Sequence, residues 1–437
     1  MKPVGIVLLG CGTVGRAVVG LLRRNADIIA QKAGARLKLC AVADRSLKPD
    51  AALGLGREVI FRSGEPLAAL PEADIVVELF GGIEPARTLI LSALGAGKDV
   101  VTANKALLAE HGGEIFAAAA AAQCAVGFEA AVAGGVPIIR TLREALAADR
   151  LSTVYGIVNG TCNSILTMMS RQGSDFARAL SEAKRLKLAE ADPTLDIEGH
   201  DAAQKLCLLA ALAFGTPLTP AQVYTEGITR LTPADIAYAR ELGYAIKLLA
   251  IAKRDGAALE ARVHPTMVPL GHLLANVDGA FNAIYVEGPA LGPTMYFGQG
   301  AGALPTATAV VADIMELARQ RAGAARSRPQ PLGWPLEALR RPRLKAMGDV
   351  VCEYYLRFMV QDRPGVLGAI ASVLGRHRIS IASVIQQGRD REGSVPVIMR
   401  THEARERDLK QALGAIGRLR MVGAPPAFVR IEEKLGS

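Results

Sequence analysis

Apolar positions along the chain follow two periods. Short, largely apolar runs, Val4 to Leu9, Leu37 to Ala43, Ala73 to Leu79 and Asp99 to Thr102, have the length and β-branched content of strands. Between them lie segments with helical spacing, Arg16 to about Leu22, Pro85 to Gly95 and the alanine-rich Glu114 to Ala122, and Ala125 to Glu129 closes the series. Strand alternating with helix predicts a doubly wound parallel sheet over residues 1–135. After that the pattern changes. A strand at Ser152 to Val158 and alternating segments between Leu259 and Ala290 (ARVHPTMVP, NAIYVEG) predict an α+β region with a mixed sheet over 136–320. A long helix, Thr306 to Arg321, is expected to return to the first domain. The basic, proline-rich piece from Ala322 to Arg343 reads as a linker within 321–350. Strand Tyr354 to Val360, helix Val366 to Arg376, strands Ile381 to Gln386 and Ser394 to Thr401, helix Ala404 to Ile416 and a short strand Ala427 to Ile431 then predict a ferredoxin-like domain over 351–433.

One stretch breaks the alternation with charge. From Glu190 to Asp201 five carboxylates (Glu190, Asp192, Asp196, Glu198, Asp201) fall within twelve residues, with Pro193 and Gly199 as breakers, so an irregular acidic loop is expected. A helix follows, and Ala202, Ala203, Leu206, Cys207, Leu209 and Ala210 make it apolar nearly all round, the pattern of a buried helix. Asp201 and Lys205 share one face, four residues apart. Spacing alone is equally the mark of a surface ion pair. Burial points the other way, to a lysine that donates a proton or holds an anionic group.

Composition changes the picture little. The 437 residues are 50% hydrophobic and 21% charged, an ordinary globular balance with room for two to four domains. The net charge of +9 is spread along the chain without the motif of a known nucleic-acid reader, so no nucleic-acid partner is expected. Six scattered cysteines show no CxxC spacing and read as buried free thiols of a reducing compartment. The N-terminal run resembles a short signal core, but a glycine motif stands where a cleavage site would be. No apolar run approaches the ~18 residues of a membrane span.

Candidate chemistry sits at the strand ends. Val4 to Leu9 leads into Gly10-Cys11-Gly12-Thr13-Val14-Gly15 and a helix, the strand, G-x-G-x-x-G, helix context of a dinucleotide fingerprint. The second strand ends at Asp44-Arg45: an acidic residue there binds a ribose 2′-hydroxyl, an arginine a 2′-phosphate, so NAD and NADP both stay open. Asp99 to Thr102 leads to Asn104-Lys105, a lysine at the ligand-binding end of a parallel strand, equally readable as a solvated loop lysine. Glu129-Ala-Ala-Val-Ala-Gly-Gly-Val-Pro137 joins a carboxylate to a glycine turn; it is a plain turn or an oxygen-rich cradle for a hard cation.

Six segments, in order, resemble homoserine dehydrogenase: GCGTVG at the start, VVTANKALLA around Lys105, FEAAVAGGVPII around Glu129, GIVNGTCNSIL around Asn159, EADPTLDIEGHDAAQKL, and GQGAGALPTATAVVADI. The tail, FMVQDRPGVLGAIASVLGRHRISIASVIQ, is similar to an ACT domain, an amino-acid-sensing module. The resemblance implies a Rossmann-like domain, a catalytic and dimerisation domain and an ACT domain. It implies reversible NAD(P)H-dependent reduction of L-aspartate 4-semialdehyde to L-homoserine, in a cytoplasmic homodimer or homotetramer inhibited by threonine. Gly10, Gly12, Thr13, Val14 and Gly15 would cradle the pyrophosphate, with Thr102, Lys105 and Gly302 also at the cofactor. Glu190 and Asp196 would bind the substrate's ammonium, Asp201 would orient the proton relay, Lys205 would donate the proton, and Lys105 would bridge cofactor and substrate. Glu129 with the carbonyls of Val132, Gly134 and Val136 maps onto the family's monovalent-cation turn, for sodium. Arg45 and Lys48 tip the cofactor toward NADP. Lys187 stands where relatives commonly have glycine, Ser164 where an aromatic is usual, and Asp44-Arg45 reverses the family's usual order. Two alternatives follow: an inactive amino-acid-sensing protein, against which Glu190, Asp201, Lys205 and Lys105 together argue, and a dehydrogenase for another small amino aldehyde, for which Ser164 is the residue to examine. Truncation near Met347 is expected to abolish threonine inhibition.

Overall fold

The computed structural model describes residues 3–48, 50, 53–56, 60–68, 70–323, 330–341, 343–386 and 394–435. Contacts divide the chain into two compact units interleaved in sequence: Met1–Val154, Asp201–Val223 and Phe281–Pro342 form one, Tyr155–His200, Tyr224–Ala280 and Arg343–Ser437 the other. Neither unit is a single stretch, whereas the sequence predicts linear domains.

The first unit is built on β1 (Pro3–Leu9), β2 (Arg36–Ala43), β3 (Ile60–Phe61), β4 (Ile75–Glu78), β5 (Asp99–Thr102) and β6 (Val126–Gly127), in the order β3-β2-β1-β4-β5-β6. All pairs are parallel, with Val4 opposite Leu37 and Ile6 opposite Ile75. Because helices cover both faces, β4 and β5 are buried at every position, which explains their largely apolar runs. Helix Thr13–Arg24 turns Val18 and Val19 inward and ends on Arg23 and Arg24, whose charges suit its C-terminus. Helix Ala303–Ala322 packs against it. Helix Lys105–Ala121 begins well before the predicted Glu114. Asn104 caps it by accepting from the Leu107 amide, and Gly112 gives room to the Phe116 ring.

The chain continues with β7 (Thr153–Ile157), which runs out of the first unit into the second, then β8 (Tyr224–Thr225), β9 (Tyr244–Asp255) and β10 (Ala258–Pro269). The hairpin β11 (Phe281–Gly288) and β12 (Gly292–Gln299) belongs to the first unit. The described part of the expected linker is anchored there too: the Trp334 indole donates to the Leu212 carbonyl at 2.7 Å, and the Arg340 amide to the Gly215 carbonyl at 3.0 Å. Proline and basic residues marked it as a linker; its one tryptophan ties it down.

β13 (Val351–Gln361), β14 (Ile381–Gln386), β15 (Ser394–Thr401), β16 (Ala404–Arg405) and β17 (Ala427–Ile431) complete the second unit. Its strands run β7-β9-β10-β17-β13-β15-β14. β17 pairs in parallel with β10 through Thr266 and Arg430, and antiparallel with β13 from Glu353 opposite Ile431. The ferredoxin-like tail has its own core around Tyr354, Phe358, Ile370 and Leu409. Its last strand nevertheless joins the β9–β10 hairpin, so the tail sheet does not end at the tail.

Candidate active site

The glycine turn of the first unit is shaped by close backbone approach. Gly10 has φ +96°, and a Cβ there would lie 2.9 Å from the Phe80 amide nitrogen. One on Gly15 would lie 2.4 Å from the Gly10 carbonyl oxygen. Gly12 meets nothing within 4 Å, and it opens helix Thr13–Arg24 without a side-chain cap. Amides at an uncapped helix start beside open space suit a pyrophosphate.

At the end of β2 the Asp44 carboxylate accepts from the Cys11 amide at 2.9 Å and from the Ser46 and Leu47 amides at 2.8 and 2.9 Å. Partial burial pulls the other way, but these donors and the Ser46 hydroxyl hold it below the usual carboxylate range. Asp44 therefore braces the glycine turn. Arg62, which the sequence reading missed, donates to the carbonyls of Arg45 and Leu47, leaving the Arg45 and Lys48 side chains exposed.

A second missed residue organises the next strand ends. Glu78 closes the apolar β4, fully buried, and accepts from the Phe80 and Gly81 amides and from the Thr102 hydroxyl at 2.6 Å. Burial pushes its carboxyl up despite these donors. A carboxylate at the end of an otherwise apolar parallel strand was the available signal. The Thr102 hydroxyl is thus committed to Glu78, which leaves its main chain for any cofactor contact. Asn104 ties the loop to the Gly82 carbonyl at 2.6 Å and presents Lys105 as the first residue of its helix.

Lys105 meets the predicted helix. Its ammonium lies 3.3 Å from Asp201 Oδ1, and Lys205 Nζ lies 2.7 Å from Asp201 Oδ2. Helix His200–Phe214 is buried over most of its surface, as its composition predicts; the Lys205 side chain is 12% exposed and that of Lys105 31%. Two ammonium groups on one carboxylate leave this trio with a net positive charge, which stabilises an oxygen acquiring negative charge.

The acidic stretch does not act as one cluster. Asp192 accepts from the Thr194 amide and hydroxyl and opens the short helix Thr194–Ile197, where an irregular loop was expected. In the second unit Asp196 accepts from Asn159 Nδ2 at 2.7 Å, Glu198 accepts from the Thr229 hydroxyl, and Glu190 is exposed. Lys187 adopts φ +58°, the left-handed backbone that glycine takes without strain. Ser164 is buried, and its hydroxyl has no hydrogen-bond partner among the described residues.

In the turn after β6, both oxygens of Glu129 are taken, by the Ile139 and Arg140 amides at 2.8 and 2.9 Å. Burial raises this carboxyl. Its carboxylate thus caps a helix start, and any cation here would be held by main-chain carbonyls. Gly134 has φ +51° and lies so close to Gly300 that a Cβ would stand 2.6 Å from its carbonyl oxygen; Gly135 donates to Gln299. Val132 and Val136 are buried in this turn, and Gly302, at φ +123°, caps helix Ala303–Ala322. Among the described residues no group of three or more His, Cys, Asp or Glu side chains could hold a metal ion.

The cysteines are free; burial pushes the Cys11 thiol up to about 11 and Cys207 to about 12, so neither is a nucleophile at neutral pH. In the tail, the turn Asp362-Arg363-Pro364-Gly365 borders a cavity of about 340 Å³ that Gln386 and Val397 also line. No helix among the described residues is long and apolar enough to cross a membrane.

Residues 137–315 match the homoserine dehydrogenase family, 10–129 the NAD-binding domain of that family, and 354–420 the ACT domain. A homoserine dehydrogenase of Neisseria gonorrhoeae is 45% identical over 438 residues, 99% of either chain. The crystal structure of a homoserine dehydrogenase from Thiobacillus denitrificans is 46% identical, with a TM-score of 0.93 over 99% of each chain. A hyperthermophilic archaeal homoserine dehydrogenase in complex with NADPH is 29% identical, with a TM-score of 0.63, over 72% of this chain and 97% of that one.

Proposed function

The chain belongs to the homoserine dehydrogenase family, and we propose that Lys205, held by Asp201, moves the proton that accompanies hydride transfer. It is an NAD(P)-dependent oxidoreductase that interconverts L-aspartate 4-semialdehyde and L-homoserine. The nicotinamide supplies the hydride. In the reducing direction the aldehyde carbon gains the hydride and its oxygen gains negative charge. Lys205 hands a proton to that oxygen, Asp201 fixes the direction of the ammonium, and Lys105 adds its charge where cofactor and substrate meet. In the oxidising direction the proton returns to Lys205. Glu190 and Asp196 bind the substrate's ammonium. The observation that carries this reading is the meeting of both lysines on one buried carboxylate.

The finer assignments follow the same residues. Gly10, Gly12, Thr13, Val14 and Gly15 hold the pyrophosphate, with Thr102 and Gly302 beside the cofactor. NADP is the preferred form, because Asp44 is committed to amides while Arg45 and Lys48 remain exposed for a 2′-phosphate. A sodium ion would be held by main-chain carbonyls of Glu129, Val132, Gly134 and Val136, since the Glu129 carboxylate is taken by the Ile139 and Arg140 amides. The division of labour is 1–135 for cofactor, 136–320 for substrate and dimerisation, and 351–433 for regulation, in a cytoplasmic homodimer or homotetramer. Threonine binds the cavity at Asp362 to Gly365 and inhibits. Truncation at Met347 is a poor test of that, since it also strips β17 from β10. Asp362→Ala keeps the strand and should abolish threonine inhibition with turnover retained. The reading as a whole is tested by following homoserine oxidation with NADP and NAD in turn: turnover with both and a lower KM for NADP supports it, and no homoserine-dependent reduction of either cofactor overturns it.

A further inference from the structure

Strand β17 and the residue that follows it, Glu432, send two buried side chains back toward the acidic stretch, and both routes end at the turn that carries Asp196. We propose that Arg430 on β17 and Glu432 just after it position this turn for the substrate's ammonium; the proposal rests on the role given to Asp196 above.

The first route starts at Arg430, whose side chain is 1% exposed. It donates to both oxygens of Glu406 at 2.7 Å and to Glu226 Oε2 at 2.9 Å. Glu226 is followed by Gly227, where a Cβ would lie 2.2 Å from the Ile197 carbonyl oxygen and 2.6 Å from Glu198 Cα. The Ile228 amide donates to that same Ile197 carbonyl at 2.9 Å, and Thr229 donates to Glu198. No slack separates the segment 226–229 from the turn behind Asp196. On its other side Glu226 lines a cavity of about 390 Å³, shared with Arg230, Pro425 and Phe428; its amide donates to the Val263 carbonyl at 2.8 Å, and its carboxylate is held there by Arg430 and by the Tyr224 hydroxyl at 3.0 Å.

The second route starts at Glu432, 4% exposed, which accepts from Arg262 at 2.6 Å, from Lys253, and from the Tyr155 hydroxyl at 3.1 Å. Tyr155 lies on β7, four residues before Asn159. Asn159 caps helix Gly160–Gln172 with its Oδ1 and donates to Asp196 through Nδ2. Buried ion pairs of this kind are poor devices for stability, since apolar residues of similar volume often serve as well, but they are directional and specify one arrangement. Here the specified arrangement is the carboxylate of Asp196. The same strand is paired with β13, so the tail sheet and the substrate turn share one element.

Glu226→Gln removes a charge from the first route and Tyr155→Phe one hydroxyl from the second; neither residue touches substrate in the proposed mechanism. Each should raise the KM for homoserine about fivefold, with kcat within about twofold and the KM for NADP unchanged, and the double variant should raise it by about the product. A purely structural role would lower the melting temperature and the active fraction while leaving the KM of the surviving enzyme unmoved. That result in both single variants overturns the proposal, and if Glu226→Gln does not fold, Tyr155→Phe alone decides it. Wild-type protein that does not oxidise homoserine would defeat the parent reading as well, whereas active wild type with unmoved KM values defeats this inference alone.

Discussion

Lys105 and Lys205 end on the same carboxylate but arrive from opposite kinds of scaffold. Lys205 projects from the middle of a helix whose surface is apolar almost all round, and its stem is enclosed by the core. Lys105 opens a helix at the end of β5, where its position is fixed by the Asn104 cap and by Glu78 gripping Thr102. A charge stripped of most of its water acts strongly on an atom placed beside it, whereas one near solvent meets ligands as they arrive. That contrast is why the proton is given to the enclosed lysine and the bridging role to the open one.

The contrast predicts unequal losses. Lys205→Ala should cost about 10² to 10⁴ in kcat, the range expected for general acid–base catalysis, with the dissociation constant for NADP unchanged. Lys105→Ala should cost roughly 10- to 100-fold in kcat/KM, carried mainly by KM. Equal losses in kcat from the two variants would erase the distinction between the sites.

Smaller effects test the frame that brings the two scaffolds together. Asp313, on helix Ala303–Ala322, accepts from the Glu129 amide at 2.8 Å and lies near Arg140. Burial pushes its carboxyl up from 3.8 to about 7, against the pull of the Glu129 amide. Between those values the folded state binds the proton and the unfolded state does not, so the contribution to stability is complete below about pH 4 and is lost as pH rises through about 7. Denaturant titrations of wild type and Asp313→Asn at pH 5 and pH 8 should show wild type losing stability relative to the variant at the higher pH; a difference independent of pH would remove Asp313 from this account. At Lys187, glycine should relieve the left-handed backbone and raise stability by about 0.5 to 1 kcal/mol in the same assay, with activity unchanged.

Much of this was legible in the sequence because local rules and tertiary fate agreed. The apolar runs of β1, β4 and β5 are buried as parallel strands must be, and the helix carrying Lys205 is as enclosed as its apolar ring of residues implies. Legibility failed where a polar residue spends its hydrogen bonds inside the protein. The acidic stretch reads as one charged loop, yet its carboxylates are divided among Thr194, Asn159, Thr229 and the two lysines. Glu260, Arg262, His264 and Thr266 alternate along β10 like a solvent-facing row, but all four are buried, with Arg262 paired to Glu432 from the far end of the chain. Alternation reports a strand and not what covers each face. Asp44 looked like a ribose ligand from its place after β2, and only the structure shows it bonded to Cys11 and to the turn. Residues that act through distant partners leave no local spacing to read.

In the proposed mechanism the ammonium of Lys205 is the proton carrier of a homoserine dehydrogenase. Its most direct test is turnover of Lys205→Ala with homoserine and saturating NADP, in the absence and presence of a small primary amine. The variant should be nearly dead, bind NADP normally and recover measurable turnover as the amine is raised. Turnover close to wild type without any amine would contradict it.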